Sequence, residues 1–465
     1  MVLTDETSTS AQFDAISILT KTQTKAANIN EIENFTGLTS LKAALPPTSK
    51  DSAPLFIIAV LDKSSSMNGN KISMLKQTMT RLISKLRSCD RLGIVTYANS
   101  VAVDLLPSFM TEEGISLATD KVAKIHPSGC TNLSSGLLEG LRLIPQDLPD
   151  GTVVTTLLLT DGLANIGIRD TPSIVQMMQH LWAKSDAPKR STVYTFGYGE
   201  DHDATMLKGI ADATEGMYYY IENEDKIADS FADVLGGLFS VVAQNITVTI
   251  EAINGAKITD LMTEYSYTTV EPSIKYRLQL ADIQSEESRD FPISFSLPVA
   301  EVGECTFAKV EIDYFDVLAH KSETRTCSIT VNRLPSDELP EEIFDPEIEQ
   351  HIDRITTCRK LKEAQTLAEE NHLEKARTLL DGQLKTLRAR STSSQPLNER
   401  LSEDLVSTLC SFSTERTFKS KGSKVASNNY LIHSKQRAAP QSHEMEKKSS
   451  LSYVNKKRIS SLSHF

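Results

Sequence analysis

The chain has 465 residues, of which 24% are charged and 40% hydrophobic, and its formal net charge is −12. At roughly 100–200 residues per domain this implies two to four domains, and an acidic body excludes nucleic acid as the main ligand. No apolar run approaches the ~18 residues a membrane span needs, and the polar, acidic start Met1–Ser10 lacks the features of a signal peptide, so the expectation is an intracellular, cytoplasmic protein.

Residues 1–50 form an N-terminal segment with one β-type run, Ile16–Leu19. This run is expected to pair with later strands of a β-domain. Leu38, Leu41 and Leu45 have helical spacing and predict a short helix ending before Pro46 and Pro47. From 51 to 240 strands alternate with helices. The continuous apolar runs Phe56–Leu61 and Val153–Thr160 read as strands buried on both faces. Leu92–Tyr97, Val101–Leu106, Thr192–Phe196 and Met217–Ile221 complete the strand set. Helices are predicted over about 71–87, 111–124, 132–144, 171–183, 203–213 and 224–239, with Ile72, Leu75, Met79, Leu82, Ile83 and Leu86 on one stripe. The pattern is that of an α/β, doubly wound, mainly parallel sheet.

The period changes after 240. Residues 241–335 carry short alternating runs such as Ile246–Ile250 and Phe291–Leu297, which predict a β-sandwich. Residues 336–412 are helical, with a break at Asn371 and His372. Their apolar stripes at 348–361 and 373–387 read as packed core in preference to a partner groove. Residues 413–465 form a basic, Ser-rich tail, expected to be mostly disordered. It holds 11 Lys/Arg against 3 Asp/Glu, a net +8 that leaves −20 for the rest. The tail is read as a solvated segment; its alternatives are weak nucleic-acid or membrane contact, or folding back onto the acidic body. The six cysteines, Cys89, Cys130, Cys305, Cys327, Cys358 and Cys410, lack the spacing of a zinc site or a disulfide framework.

Chemistry gathers in three loops. The first strand runs into Asp62-Lys63-Ser64-Ser65-Ser66, and the second very apolar strand ends in Thr160-Asp161-Gly162. Between them lies Gly129-Cys130-Thr131-Asn132, a loop that opens a helix. In a parallel α/β sheet, ligands collect where loops leave the carboxyl ends of strands. Asp62, Asp161, Ser64, Ser66 and Thr131 would bring two carboxylates and three hydroxyls to that edge. The set suits a hard divalent cation such as Mg²⁺ or Mn²⁺, which takes about six oxygens and keeps some water.

Asp62-x-Ser64-x-Ser66, Thr131 and Asp161, in this order on these elements, resemble the metal-ion-dependent adhesion site of the von Willebrand factor A family over residues 55–240. Ser65 departs from the Gly that many members carry, without removing a ligand atom. A narrower resemblance rests on Thr195–Gly199, Asp201-His202-Asp203, Gly216–Glu222, Leu235–Leu238 and the tail's Tyr430–Arg437. It points to a eukaryotic branch in which a β-domain and the intein-associated Vwaint region follow the A domain. The RING and hedgehog modules of that branch are absent from this sequence. The resemblance implies a non-enzymatic adaptor that grips a partner protein's Asp or Glu carboxylate through the metal. Alternatives are a substrate-recruiting part of a ubiquitin-ligase complex, or a metal-independent scaffold. His202 reads as the start of a helix in preference to a catalytic group, and Gly197-Tyr198-Gly199 as a turn in preference to a phosphate loop.

Overall fold

The computed structural model describes residues 14–45, 52–161, 163–183, 191–341 and 343–437. Three strands open it: β1 (Ile16–Thr22), β2 (Ala26–Asn28) and β3 (Ile32–Ala43). An α/β unit follows, with β4 (Leu55–Asp62), α1 (Asn70–Ile83), β5 (Arg91–Tyr97), β6 (Val101–Phe109), α2 (Glu112–Ala123), α3 (Leu133–Arg142), β7 (Val153–Thr160), α4 (Thr171–Ala183), β8 (Thr192–Tyr198), α5 (Ala204–Asp212), β9 (Tyr218–Ile221) and α6 (Glu224–Phe239). Its strands line up β6-β5-β4-β7-β8-β9, all parallel except the edge strand β6. The two most apolar runs, β4 and β7, are the central pair and are buried along their whole length. Helices cover both faces, because a strand with no polar face needs apolar cover on each side.

Next come β10 (Val241–Ala252), β11 (Lys257–Leu261), β12 (Tyr267–Glu271), β13 (Lys275–Gln284), β14 (Ser288–Leu297), β15 (Gly303–Asp316) and β16 (Lys321–Leu334). With the opening strands they make two sheets, β1-β3-β14-β11 and β12-β13-β10-β15-β16-β2. Phe35, Phe295 and Phe307 meet edge to face in their shared core. The α/β unit lies in sequence between β3 and β10, so strands on either side of it share these sheets. Ile16–Leu19 pairs with β3, which pairs in turn with β14.

The helix expected around Leu38 and Leu41 is instead the middle of β3, where both side chains are buried. This strand is covered on both faces, and burial on both sides erases the alternation that marks a half-exposed strand. Leu45 lies past its end and is exposed, and Pro46 and Pro47 fall outside the described residues.

The chain ends in α7 (Pro346–Glu369), α8 (Leu373–Ala389), α9 (Pro396–Ser411), a single turn α10 (Glu415–Thr417), a π-helical turn over 418–422 and α11 (Ser423–Ser434). Asp345 caps α7 and Pro346 sits at its first position. Asn371, at φ 65°, makes the turn into α8.

The expectation of disorder from 413 onward is wrong for residues 415–437. Phe418, Ala426, Tyr430 and Leu431 bury into the core. Lys435 pairs with Asp212 and Glu215, and Arg437 with Asp282. The alternative of folding back onto the acidic body holds for these residues, although a composition low in apolar residues did not show which acidic groups they would meet. Residues 438–465 lie outside the described residues. All six cysteines are free; Cys305 and Cys327 sit on adjacent strands but face Val331 and Val310 in register. Among the described residues no helix is long and apolar enough to cross a membrane.

Candidate metal centre

Three loops leave the carboxyl edge of the parallel sheet together. β4 delivers Asp62, and its neighbour β7 delivers Thr160 and Asp161. The loop before α3 delivers Thr131, and Asn132 caps that helix by accepting from the Ser135 amide. Backbone hydrogen bonds zip the loops: Ser65 N–H donates to Gly129 O at 2.9 Å, and Asn165 and Ile166 N–H both donate to Thr131 O. The Thr131 amide donates to Asn165 Oδ1 at 2.8 Å. Asp62, Ser64, Thr131 and Asp161 are buried, and Ser66 is exposed.

Asp62 is tightly held. Its Oδ1 accepts from the Ser64 amide at 2.8 Å, and its Oδ2 accepts from Thr160 Oγ1 at 2.7 Å and from the Tyr97 hydroxyl at 3.4 Å. Ser64 Oγ and Ser66 Oγ are 3.0 Å apart. Burial pushes the Asp62 carboxyl up and nearby Asp161 adds to this, although hydrogen bonds from Thr160 and Ser64 oppose it. Asp161 Oδ1 is buried and has no hydrogen-bond partner. A buried, unsatisfied carboxylate oxygen is costly and calls for a ligand. This orphan oxygen, beside a second buried carboxylate and a pair of hydroxyls, fits a hard divalent cation.

Lys71, Thr160 and Asp201 complete the setting; the sequence pattern names Thr160 and Asp201 without a role at the site and leaves Lys71 out. Lys71 Nζ lies 3.2 Å from Asp161 Oδ2 and 2.9 Å from Asp201 Oδ1. Burial works to lower its pKa, but Asp201 and Asp161 outweigh that and hold the ammonium above its usual value. Gly199, at φ +80°, lets the lysine through: a Cβ there would meet Lys71 Cε at 2.8 Å. The position of Lys71, in the first turn of the helix after the motif, was the available signal. His202 lies one residue before Asp203, the cap of α5, close to the helix start expected for it. Its Nδ1 meets Gly199 O at 2.6 Å and its Nε2 the Tyr218 hydroxyl at 2.5 Å, while Asp203 caps α5. A second group, Asp290, Glu347 and His351, has ligand atoms within 4.8 Å of one another. Lys21 pairs with Glu347 and Arg354 with Asp290, so side-chain cations already occupy that group.

Residues 57–233 match the sequence model of the von Willebrand factor type A domain. The chain carries a von Willebrand factor type A domain. The A domain's relatives include the E3 ubiquitin-protein ligase WAV3 of Arabidopsis thaliana, 26% identical over 53% of this chain and 31% of that one. Human inter-alpha-trypsin inhibitor heavy chain H4 is 24% identical over 42% of this chain and 22% of its own length. The chain thus spans about a third or less of these two relatives. A solved von Willebrand factor type A protein from Catenulispora acidiphila shares the fold well beyond the A domain. It covers 92% of this chain and 98% of its own, with a TM-score of 0.67 at 16% identity.

Proposed function

We propose that this protein is a non-enzymatic interaction module that binds a divalent cation, Mg²⁺ or Mn²⁺, through Asp62, Ser64, Ser66, Thr131 and Asp161. The observation that carries the reading is Asp161 Oδ1, buried without a partner at the edge where Asp62 and the Ser64–Ser66 pair converge. When bound, the cation supplies an electrophilic centre for an oxygen ligand from outside. Neutral hydroxyls in the set leave charge on the cation for a partner's Asp or Glu carboxylate to neutralise. Asp62 is oriented by Thr160 and Ser64, and the zipped loops hold the hydroxyls in place before any partner arrives. We assign the C-terminal helices, which follow the β-domain and end in the Tyr430–Arg437 run, to the Vwaint-type region that accompanies such A domains.

The test is calorimetry and thermal melting with Mg²⁺, Mn²⁺ or EDTA, on wild type and Asp161→Asn. Cation binding by the wild type alone is expected. Melting curves that ignore EDTA in both proteins would refute the reading. The similarity to WAV3 supports a second reading, a substrate-recruiting part of a ubiquitin-ligase assembly. Ubiquitin transfer to a bound partner, in reconstitution with a separate ligase, would favour it.

A further inference from the structure

Beside the metal motif lies a cavity of about 330 Å³ with the opposite charge. Lys63, Lys121, Lys124 and His126 line it, together with Asp104 and Ile125. Lys63 stands between two motif residues, and its carbonyl accepts from the Ser128 amide at 2.7 Å. That bond ties the loop after α2 to the motif, so the segment that carries His126 runs on beside it toward Thr131. Lys121 lies in the last turn of α2 and Lys124 is its C-cap.

Cations at a helix C-terminus have an ordinary explanation in the helix dipole. It does not account for Lys63, which comes from the loop after β4. The last turn of α2 is also served already by Lys76, whose Nζ donates to Ala123 O at 2.8 Å. The one carboxylate in the wall, Asp104, accepts from Thr96 Oγ1 at 2.6 Å. Among the described residues Lys63, Lys121 and Lys124 have no ion-pair partner. Three unpaired lysines around one cavity, on a chain of net charge −12, repel one another and await an anion.

We propose that this cavity is an anion subsite that takes a second carboxylate from the same partner segment whose first carboxylate meets the metal site. The partner is then an acidic stretch with at least two Asp or Glu residues, not an isolated acidic side chain. This rests on the metal reading above. Carboxylates are favoured over phosphate by the chemistry of the wall. The lysines are point charges on long stems from two separate segments, with no arginine fork and no helix N-terminus to clasp a compact phosphate.

The experiment measures fluorescence anisotropy of two labelled peptides, hexaglutamate and a single Glu flanked by glycines, in Mg²⁺ or EDTA. The proteins are wild type, Lys121→Gln/Lys124→Gln and Asp161→Asn, each as the full chain. In Mg²⁺, wild type should bind hexaglutamate about tenfold more tightly than the single-Glu peptide, the scale of two exposed ion pairs. The double lysine variant should lose that advantage and keep its affinity for the single-Glu peptide, which also shows that it is folded. Equal, metal-dependent binding of both peptides by wild type would overturn the subsite and leave the metal reading standing. Hexaglutamate binding that needs the lysines but ignores EDTA and Asp161→Asn would uphold the anion subsite and overturn the metal reading with the two-point grip. Tighter binding of inorganic phosphate than of hexaglutamate, in competition, would overturn the assignment to a carboxylate segment.

Discussion

Gln436 completes an open strand edge at Asp290 with both ends of its amide. Its Oε1 accepts from the Asp290 N–H at 2.7 Å, and its Nε2 donates to the Asp290 carbonyl at 2.8 Å. β11 pairs with β14 only over Ile293–Ser296, so the stretch around Asp290 lacks a strand neighbour on that side. The side chain stands in for one. It also accepts from Arg354 at 3.0 Å, which ties α7 into the same junction. Gln436→Leu would leave a buried N–H, a carbonyl and a guanidinium short of partners. It should lower stability by about 2–4 kcal/mol, since each unsatisfied buried group costs roughly 1–3 kcal/mol. Urea denaturation of wild type and variant measures this; a change under ~0.5 kcal/mol would show that water replaces the amide.

One residue earlier, Lys435 is buried between Asp212 at 2.9 Å and Glu215 at 3.0 Å, both from the A domain. Burial pushes the Glu215 carboxyl up even with the ammonium beside it. Lys435→Met removes the cation and strands two carboxylates. The expected loss is about 3–5 kcal/mol, the scale of breaking a buried pair from one side. Adding Glu215→Gln to Lys435→Met should recover part of it, which separates lost charge balance from lost packing.

His202 sets an acid limit. Burial lowers its pKa to about 4 from an ordinary 6.5, although Gly199 O works to raise it. A histidine depressed in the folded state stays neutral while the unfolded chain takes up a proton. Stability from this residue is therefore complete above about pH 6.5 and is lost as pH falls from there toward 4. The loss is about 3 kcal/mol at most. Burial also lowers the pKa of His433, which adds to the same limb. His202→Gln should flatten the stability profile between pH 6.5 and 4, read by thermal melts across that range. An unchanged slope would show that His202 does not carry the acid limb.

Lys71 competes for Asp161. Its ammonium, 3.2 Å from Asp161 Oδ2, repels any cation placed against that carboxylate. Lys71→Gln should therefore tighten Mg²⁺ binding, by roughly three- to tenfold after allowance for solvent screening. Asp161→Asn should abolish binding, together with the melting shift of about 2.7 kcal/mol expected at a hundredfold excess over Kd. Isothermal calorimetry on both variants checks this. Weaker Mg²⁺ binding by Lys71→Gln would show that the lysine holds Asp161 in place for the cation instead of competing with it.

The A domain and its candidate ligands were legible in the sequence because both rest on local signals. Continuous apolar runs such as Phe56–Leu61 mark strands buried on both faces, and Asp62, Thr131 and Asp161 stand directly at the ends of strands or the start of a helix. Strand β3 was not legible, since burial on two faces removed its alternation and left Leu38 and Leu41 at a helical spacing. The tertiary structure alone decided the fate of Lys435, Gln436 and Arg437. In sequence they belong to a basic, polar tail; in space each meets a partner more than 140 residues away: Glu215, Asp290 and Asp282. Ion pairs and amide bonds of this kind have no period, and the Tyr430–Arg437 run that holds these residues does not name their partners. The same holds for Lys71, whose hold on Asp161 and Asp201 depends on two loops brought together by the sheet. Apolar patterning records which faces are buried, but the pairing of charges is settled only when the chain has folded.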